Sequence, residues 1–448
     1  MLRFPLILLL ILFAVISCKK NNNDPGGGTT ECTLTDDEQS LVNQLNEKFT
    51  YTFGDANPEV ADPLLDPLIN YLGDANFVGL GESTHGTKEF YQLKDKLFRS
   101  LVQEKEFKAI VFEIPWGNAM VVNDFVTKDL GTADMAIDQT YYWTYDTQEV
   151  RDLAQWVHDY NLGRSDEDKI YFVGCDPQGG NFKEERRFVA QLIGAVQPDS
   201  AAHVMAHYAS LPNDLNDYSS RSEQVHEANI EGTQRVYDYL VANKEVLIAA
   251  TSTIDYEIAL MAAHVIQQRE IIYRTNDFGE KRDSLMAVYA EWWQRILGED
   301  AKVALWAHNF HVADGGDFGG NFMGTYLRQR HSEAFKTVGF SFGTGSVNAF
   351  LAGRNRQFVS GVQRQTLPEL RCHTTNQLLT LVDGDRHYLI IEELRNEVFT
   401  YFNNNNSFVQ FGAGFNYNFL DNYILQIRLA RLYDVLIHFD ETNASSLK

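Results

Sequence analysis

Cysteine is scarce in this chain, four among 448 residues, and no two of them form a CxxC pair or stand at zinc-finger spacing. A structural zinc of the finger type is therefore not expected, and Cys32, Cys175 and Cys372 allow at most one disulfide, Cys18 being assigned below to lipid. There is also no Walker sequence, no GxGxxG after a strand and no GxSxG elbow. Neither a phosphate cradle nor a serine nucleophile on a strand–helix turn is signalled. Positive charge is the minority sign: 38 Lys and Arg stand against 61 Asp and Glu, a formal net charge of −23. Such a body repels phosphate backbones, which argues against nucleic acid as a partner, while its field can attract cationic molecules.

What is present begins with Arg3 and a run without charged or polar side chains over residues 4–16. The run is too short to span a bilayer and reads as a secretion signal. Val15, Ile16, Ser17 and Cys18 resemble a bacterial lipoprotein cleavage site. This reading makes 1–17 a signal peptide and Cys18 the lipidated residue; an uncleaved N-terminal anchor is the alternative. Both place the globular part outside the cytoplasm, touching a membrane through its N-terminus only. Residues 18–34, with Asn and Gly runs and no periodicity, form a flexible tether.

The chemistry is expected around residues 77–114. An apolar strand at 77–80 ends at Gly81, and a polar turn carries Glu82 and His85. From Lys88 the residues Phe90, Leu93, Leu97, Phe98, Leu101 and Val102 recur at helical spacing. The apolar run 109–112 then delivers Glu113, as a buried parallel strand would. Open α/β sheets bind ligands at the edge formed by strand C-termini, so Glu82, His85 and Glu113 can converge there. A carboxylate on one imidazole nitrogen fixes the tautomer and leaves the other nitrogen to take a proton from water near neutral pH.

The residues Gly81-Glu82-Ser83-Thr84-His85-Gly86, with Phe90-Tyr91 and Phe112-Glu113, resemble the erythromycin esterase family. Trp306-Ala307-His308-Asn309-Phe310-His311-Val312 is similar to that family's second histidine motif. Weaker matches are Trp143-Thr144-Tyr145 with Glu149 and Trp156, Gly174-Cys175-Asp176, Arg282-Asp283 with Met286-Ala287, and Tyr433 to Ile437, so that the resemblance spans about residues 79–442. Two departures bear on substrate. Lys94 stands where the family usually has arginine, keeping charge without the bidentate fork, and Met286-Ala287 continues as Val288-Tyr289 where the family has Glu-Asn.

The remaining pattern suits a mostly parallel α/β sheet flanked by helices, one catalytic domain over 35–448. Helical spacing at 35–50 and 63–72 precedes the first strand, 149–160 is helical, and 169–175 is a strand leading to Asp176 and Gln178. Residues 182–297 show no strand and form a large helical insertion over the active-site edge. Strands follow at 303–307, at 337–342 (closed by Gly343-Thr344-Gly345), at 388–391 and at 435–439.

The resemblance implies a carboxylic-ester hydrolase opening a macrolide-type lactone with water and no cofactor. His85 is then the general base, and Glu82 or Glu113 holds and polarises it. His308 or His311 stabilises the oxyanion or protonates the leaving alkoxide, and Lys94 holds a carboxylate or the oxyanion. Three other readings stay open: a zinc hydrolase using the same Glu and His groups, a haem binder, and a glycan-binding surface lipoprotein.

Overall fold

The computed structural model describes residues 32–180, 182–211, 221–315 and 320–448. The signal peptide, Cys18 and the tether up to residue 31 lie outside the described residues.

Eight strands form the path of one mixed sheet: β1 (Tyr51–Thr52), β2 (Phe77–Leu80), β3 (Phe107–Pro115), β4 (Tyr171–Asp176), β5 (Lys302–Trp306), β6 (Phe335–Ala352), β8 (Arg386–Ile390) and β12 (Val435–Thr442). β7 (Phe358–Leu367) and β10 (Gly414–Phe415) pair with β6 off this path, while β9 (Asn406–Val409) and β11 (Ile424–Ile427) make a separate ribbon. The order is β1-β8-β12-β6-β2-β5-β3-β4. From β12 to β4 every neighbouring pair is parallel. Leu80, Trp306, Phe112 and Gly174 share one row of the register. Glu82, His308, Glu113 and Asp176 follow that row by one or two residues, so all four stand at the C-terminal edge.

Alternation along the strands splits the interior into two cores. Val78, Leu80, Ile110, Phe112, Phe172, Ala304 and Trp306 face the helices Asp66–Gly73, Lys88–Lys105 and Gln148–Asn161. Phe77, Ala109, Val111, Val173, Val303 and Leu305 face the opposite way, toward the insertion. The described part of the insertion is helical, its longest helices being Glu223–Ala242, Thr253–Thr275 and Glu280–Leu297. Helix Glu280–Leu297 lies on the sheet, where Trp293 donates to the Gly174 carbonyl (3.1 Å) and stacks near Trp116. Arg269 ties helix Thr253–Thr275 to the β4 loop by donating to the Pro177 carbonyl (2.8 Å) and to Glu185 (2.6 Å). The insertion thus covers one sheet face and reaches the edge with Arg282 and Asp283, in the first turn of its last helix.

One feature departs from the sequence reading. β6 does not stop at Phe342; it runs for 18 residues through Gly343-Thr344-Gly345 and turns back as β7. The glycines serve contact inside the sheet: a Cβ on Gly343 would collide with the Asp440 carbonyl, and Gly345 has φ +125° beside Thr442. Cys32 and Cys372 form a disulfide with a Cα–Cα distance of 5.6 Å, and Cys175 is a buried thiol.

Candidate active site

The turn after β2 is built on close backbone approach. Gly81 donates to the Val338 carbonyl (2.9 Å), and a Cβ there would collide with Asn309 Oδ1. The Glu82 carbonyl accepts from Asn309 N (2.8 Å) and the Ser83 carbonyl from Phe411 N (2.9 Å). Asn309, fully buried, also bonds both backbone groups of Phe340 on β6. The turn is therefore held between β5 and β6 before any side chain of the site is considered.

On this frame His85 Nδ1 meets Glu82 Oε1 at 2.7 Å, and Lys94 Nζ donates to Glu82 Oε2 at 2.6 Å. Glu82 and Lys94 are wholly buried, while the imidazole is 15% exposed. With Nδ1–H donating to the carboxylate, Nε2 carries the lone pair. It has no protein partner among the described residues and lies beside Gly412. Burial raises the Glu82 pKa, but Lys94 and His85 outweigh it and hold the carboxyl below its ordinary value. Burial pushes Lys94 down to about 8 against the opposing pull of Glu82, and its ammonium sits 4.2 Å over the Trp306 ring.

A second cluster centres on Glu113. Arg282 forks onto Asp176 (Nε to Oδ1 2.9 Å, Nη2 to Oδ2 2.8 Å) and also donates from Nη2 to Glu113 Oε1 (2.7 Å). Glu113 Oε2 accepts from His308 N (3.1 Å). His311 bridges Asp283 (Nδ1 to Oδ1 2.7 Å) and Glu113 (Nε2 to Oε1 3.2 Å). Burial lowers the His311 pKa, but Asp283 and Glu113 more than compensate and lift it to about 10. Arg282 Nη1 also lies 3.1 Å from His311 Nε2, a contact suited to a neutral ring. The two flanking carboxylates decide for the imidazolium, whose Nε2–H then points to Glu113. Glu113 remains ionised: burial acts to raise its pKa, and His311 and Arg282 drive it well below the usual range.

His308 is engaged on both ring nitrogens. Nδ1 accepts from Phe310 N (3.3 Å), capping the helical turn Asn309–Val312, and Nε2 donates to the Phe411 carbonyl (3.1 Å). Burial, then the neighbouring His85, push its pKa down to about 3. It is a neutral strut that holds the Phe411–Gly412 segment against His85, with ring centroids 4.9 Å apart. The site residues expected from sequence thus gather at one edge in two groups, Glu82–His85–Lys94 and Glu113–His311, with His308 between them. Asp176, Arg282 and Asp283 complete the second group. They stood in the sequence only as minor motif matches, although Asp176 closing a strand was the signal.

Among the described residues no three His, Cys, Asp or Glu side chains are grouped to hold a metal ion. The donors are spent on one another: Glu82 on His85 and Lys94, His308 on backbone groups, His311 on two carboxylates.

The parallel edge and its imidazole–carboxylate pair define an α/β protein equipped for proton transfer to and from a bound molecule. The chain belongs to the erythromycin esterase family, whose profile matches residues 102–442. That span includes Glu113, Asp176, Arg282, His308 and His311; Glu82, His85 and Lys94 precede it. The chain is 24% identical over 274 residues to erythromycin esterase type II of Escherichia coli, covering 55% of this chain and 62% of that relative, under two thirds of its length. A solved protein from Bacillus cereus shares the fold with TM-score 0.81 at 22% identity, over 92% of this chain and 99% of that one. An erythromycin esterase mutant in its open conformation does so with TM-score 0.66 at 18% identity, over 89% and 98%. Family membership supports a hydrolase.

Proposed function

We propose that this chain is a carboxylic-ester hydrolase that opens a macrolide-type macrocyclic lactone with water activated by His85. One observation carries the reading: His85 Nδ1 is fixed on Glu82 at 2.7 Å, while Nε2, on a partly exposed ring, has no protein partner among the described residues. Water gives a proton to Nε2 as its oxygen bonds to the lactone carbonyl carbon. The oxyanion forms at an edge carrying the Arg282 guanidinium and the His311 imidazolium, whose positive charge lowers its energy. Collapse breaks the ring C–O bond, and the His85 imidazolium returns its proton to the leaving alkoxide. The product carries one added water, divided between a carboxyl and a hydroxyl. Lys94 keeps Glu82 ionised throughout, and Glu113 anchors the cationic pair.

Family membership and the lipoprotein-like leader together support an envelope enzyme anchored through Cys18. The Cys32–Cys372 disulfide agrees with an oxidising compartment.

The test is mass spectrometry of erythromycin and smaller lactones incubated with the soluble domain, reading a gain of one water. His85→Asn should lower kcat by about 10²–10⁴ with substrate affinity and fold retained. A His85→Asn variant nearly as active as the parent would move the base elsewhere. Activity lost to exhaustive chelation and restored stoichiometrically by zinc would replace this mechanism with a metal-dependent one.

A further inference from the structure

Residues 443–448 follow β12 and lie just beyond the family match, which ends at 442. They run across the segment after His85 and bond to it repeatedly. Lys88 N donates to the Asn443 carbonyl (2.8 Å), and Asn443 donates from its backbone (2.7 Å) and its side chain (3.0 Å) to Glu89. Ala444 makes an antiparallel bridge with Thr87. Ser445 N donates to the Gly86 carbonyl (2.9 Å), the residue directly after His85. Asn348 completes the clamp. Its backbone N donates to the same Gly86 carbonyl (3.1 Å), and its side chain donates to the Ser445 carbonyl (2.6 Å). A Cβ on Gly86 would collide with the Asn348 carbonyl, so turn and β6 meet backbone to backbone.

The same six residues continue to the loop on the other side of the turn. Gln148 N donates to the Ser446 carbonyl (2.9 Å), Ser446 N donates to Glu149 (3.1 and 3.2 Å), and Lys448 N reaches the Asp146 carbonyl (3.3 Å). That loop carries the Thr144 carbonyl, which accepts from Tyr91 OH (2.9 Å); the same phenol oxygen also contacts the His85 carbonyl. The His85 backbone is thus bracketed by two elements far apart in sequence, and residues 443–448 join them.

We propose that residues 443–448 are a positioning strap that sets the orientation of the His85 turn for hydrolysis. The strap adds little to the hydrophobic cores: Leu447 is 39% exposed, and the pairing of β12 with β6 and β8 is complete without it. Its contribution is hydrogen bonding, by its backbone and the Asn443 side chain, to the turn, to Glu89 and to residues 146–149, which governs geometry more than it governs folding. A displacement of about 1 Å at a catalytic group can cost about 10²-fold in rate. The inference rests on His85 being the base, so its test needs a readout that survives the failure of that assignment.

Three variants of the full chain decide it. Deletion of 444–448 removes the strap beyond Asn443, with all its bonds to Gly86 and to residues 146–149, Ser445→Pro removes the N–H that Gly86 accepts, and Ser445→Ala keeps that N–H. The first two should lower kcat on erythromycin at least about tenfold with KM changed less than about threefold, and Ser445→Ala should recover most of the loss. The midpoint of thermal unfolding should move by less than about 5 °C. Independently of turnover, the imidazole Nδ1–H resonance of His85 in ¹⁵N-histidine-labelled protein should shift or broaden in the first two variants only. The proposal is overturned if that resonance and kcat are both unchanged by the deletion, or if activity falls only in step with the folded fraction. If the parent turns over no lactone or ester, the functional reading fails, while the resonance still decides whether the strap positions His85.

Discussion

Lys94 and Glu82 form an ion pair of 2.6 Å with neither side chain exposed, directly behind the imidazole of His85. A buried pair of this kind is not a gain over an apolar packing, but losing one member strands the other charge. Its consequence here is for pH. Lys94 lies at about 8, because burial disfavours its charge more than Glu82 restores it. Below that pH the pair is charged; above it Lys94 is neutral and Glu82 loses its partner.

kcat/KM is therefore expected to fall as pH rises through about 8. Lys94→Arg should abolish this limb, since a guanidinium stays protonated. Profiles of parent and variant between pH 6 and about 10 check it. An identical alkaline limb in the arginine variant would remove Lys94 from the account.

Arg282 is the common cation of Asp176 and Glu113. Arg282→Met leaves two buried carboxylates without it and should lower unfolding free energy by about 3–5 kcal/mol in urea titrations. Arg282→Lys keeps the charge but not the fork, so an intermediate cost is expected. A methionine variant within about 1 kcal/mol of the parent would mean that the carboxylates find other partners.

His387 and His438 face each other across β8 and β12 with ring centroids 5.2 Å apart. Burial holds each at about 3. A folded pKa below the unfolded value of about 6.5 means that the unfolded chain binds the proton more tightly, so each ring stabilises above about pH 6.5 and loses that contribution as pH falls toward 3. Asp95, pushed up to about 7 by burial, has the opposite slope and partly masks this in the whole-protein curve. The difference between parent and His387→Gln isolates it. Between pH 7 and pH 5 the variant should gain about 2 kcal/mol relative to the parent, read by denaturant unfolding at each pH. A pH-independent difference would refute the neutral buried ring.

Cys18→Ala is expected to stop incorporation of labelled fatty acid and to disturb maturation, as the leader ending in Ser17-Cys18 implies. Unchanged labelling would discard the lipoprotein reading.

The strand–turn–helix–strand unit of 77–114 was legible because its pattern is local: four-residue apolar runs, a glycine, then helical spacing from Phe90 to Val102. The convergence of Glu82, Glu113 and His308 followed from strand ends sharing an edge. Less legible were contacts depending on partners distant in sequence. Gly343 and Gly345 carry a turn signature yet lie within β6, because Asp440 and Thr442 of β12 pass too close for a side chain. β7 escaped notice since only Leu367 of its ten residues is buried. Nothing in the composition of 443–448 announces that its backbone serves the turn after His85. His308 looked like a reactive group, and only the positions of Phe310 N and the Phe411 carbonyl show both its nitrogens engaged.

The strand order has a consequence for biogenesis. β2 and β3 are successive in sequence but are separated in the sheet by β5, which begins at Lys302, and β2 takes its other neighbour from β6, at Phe335. A nascent chain released as far as the first 180 residues already carries Glu82, His85, Lys94 and Glu113, yet has no strand to place between them. Both edges of β2, which ends at Leu80, stay unpaired until β5 emerges from Lys302, and one stays open until β6 emerges from Phe335, which makes for non-local, slow assembly. Such a chain keeps its central strands open late, the state in which premature pairing of those edges is the main hazard to yield.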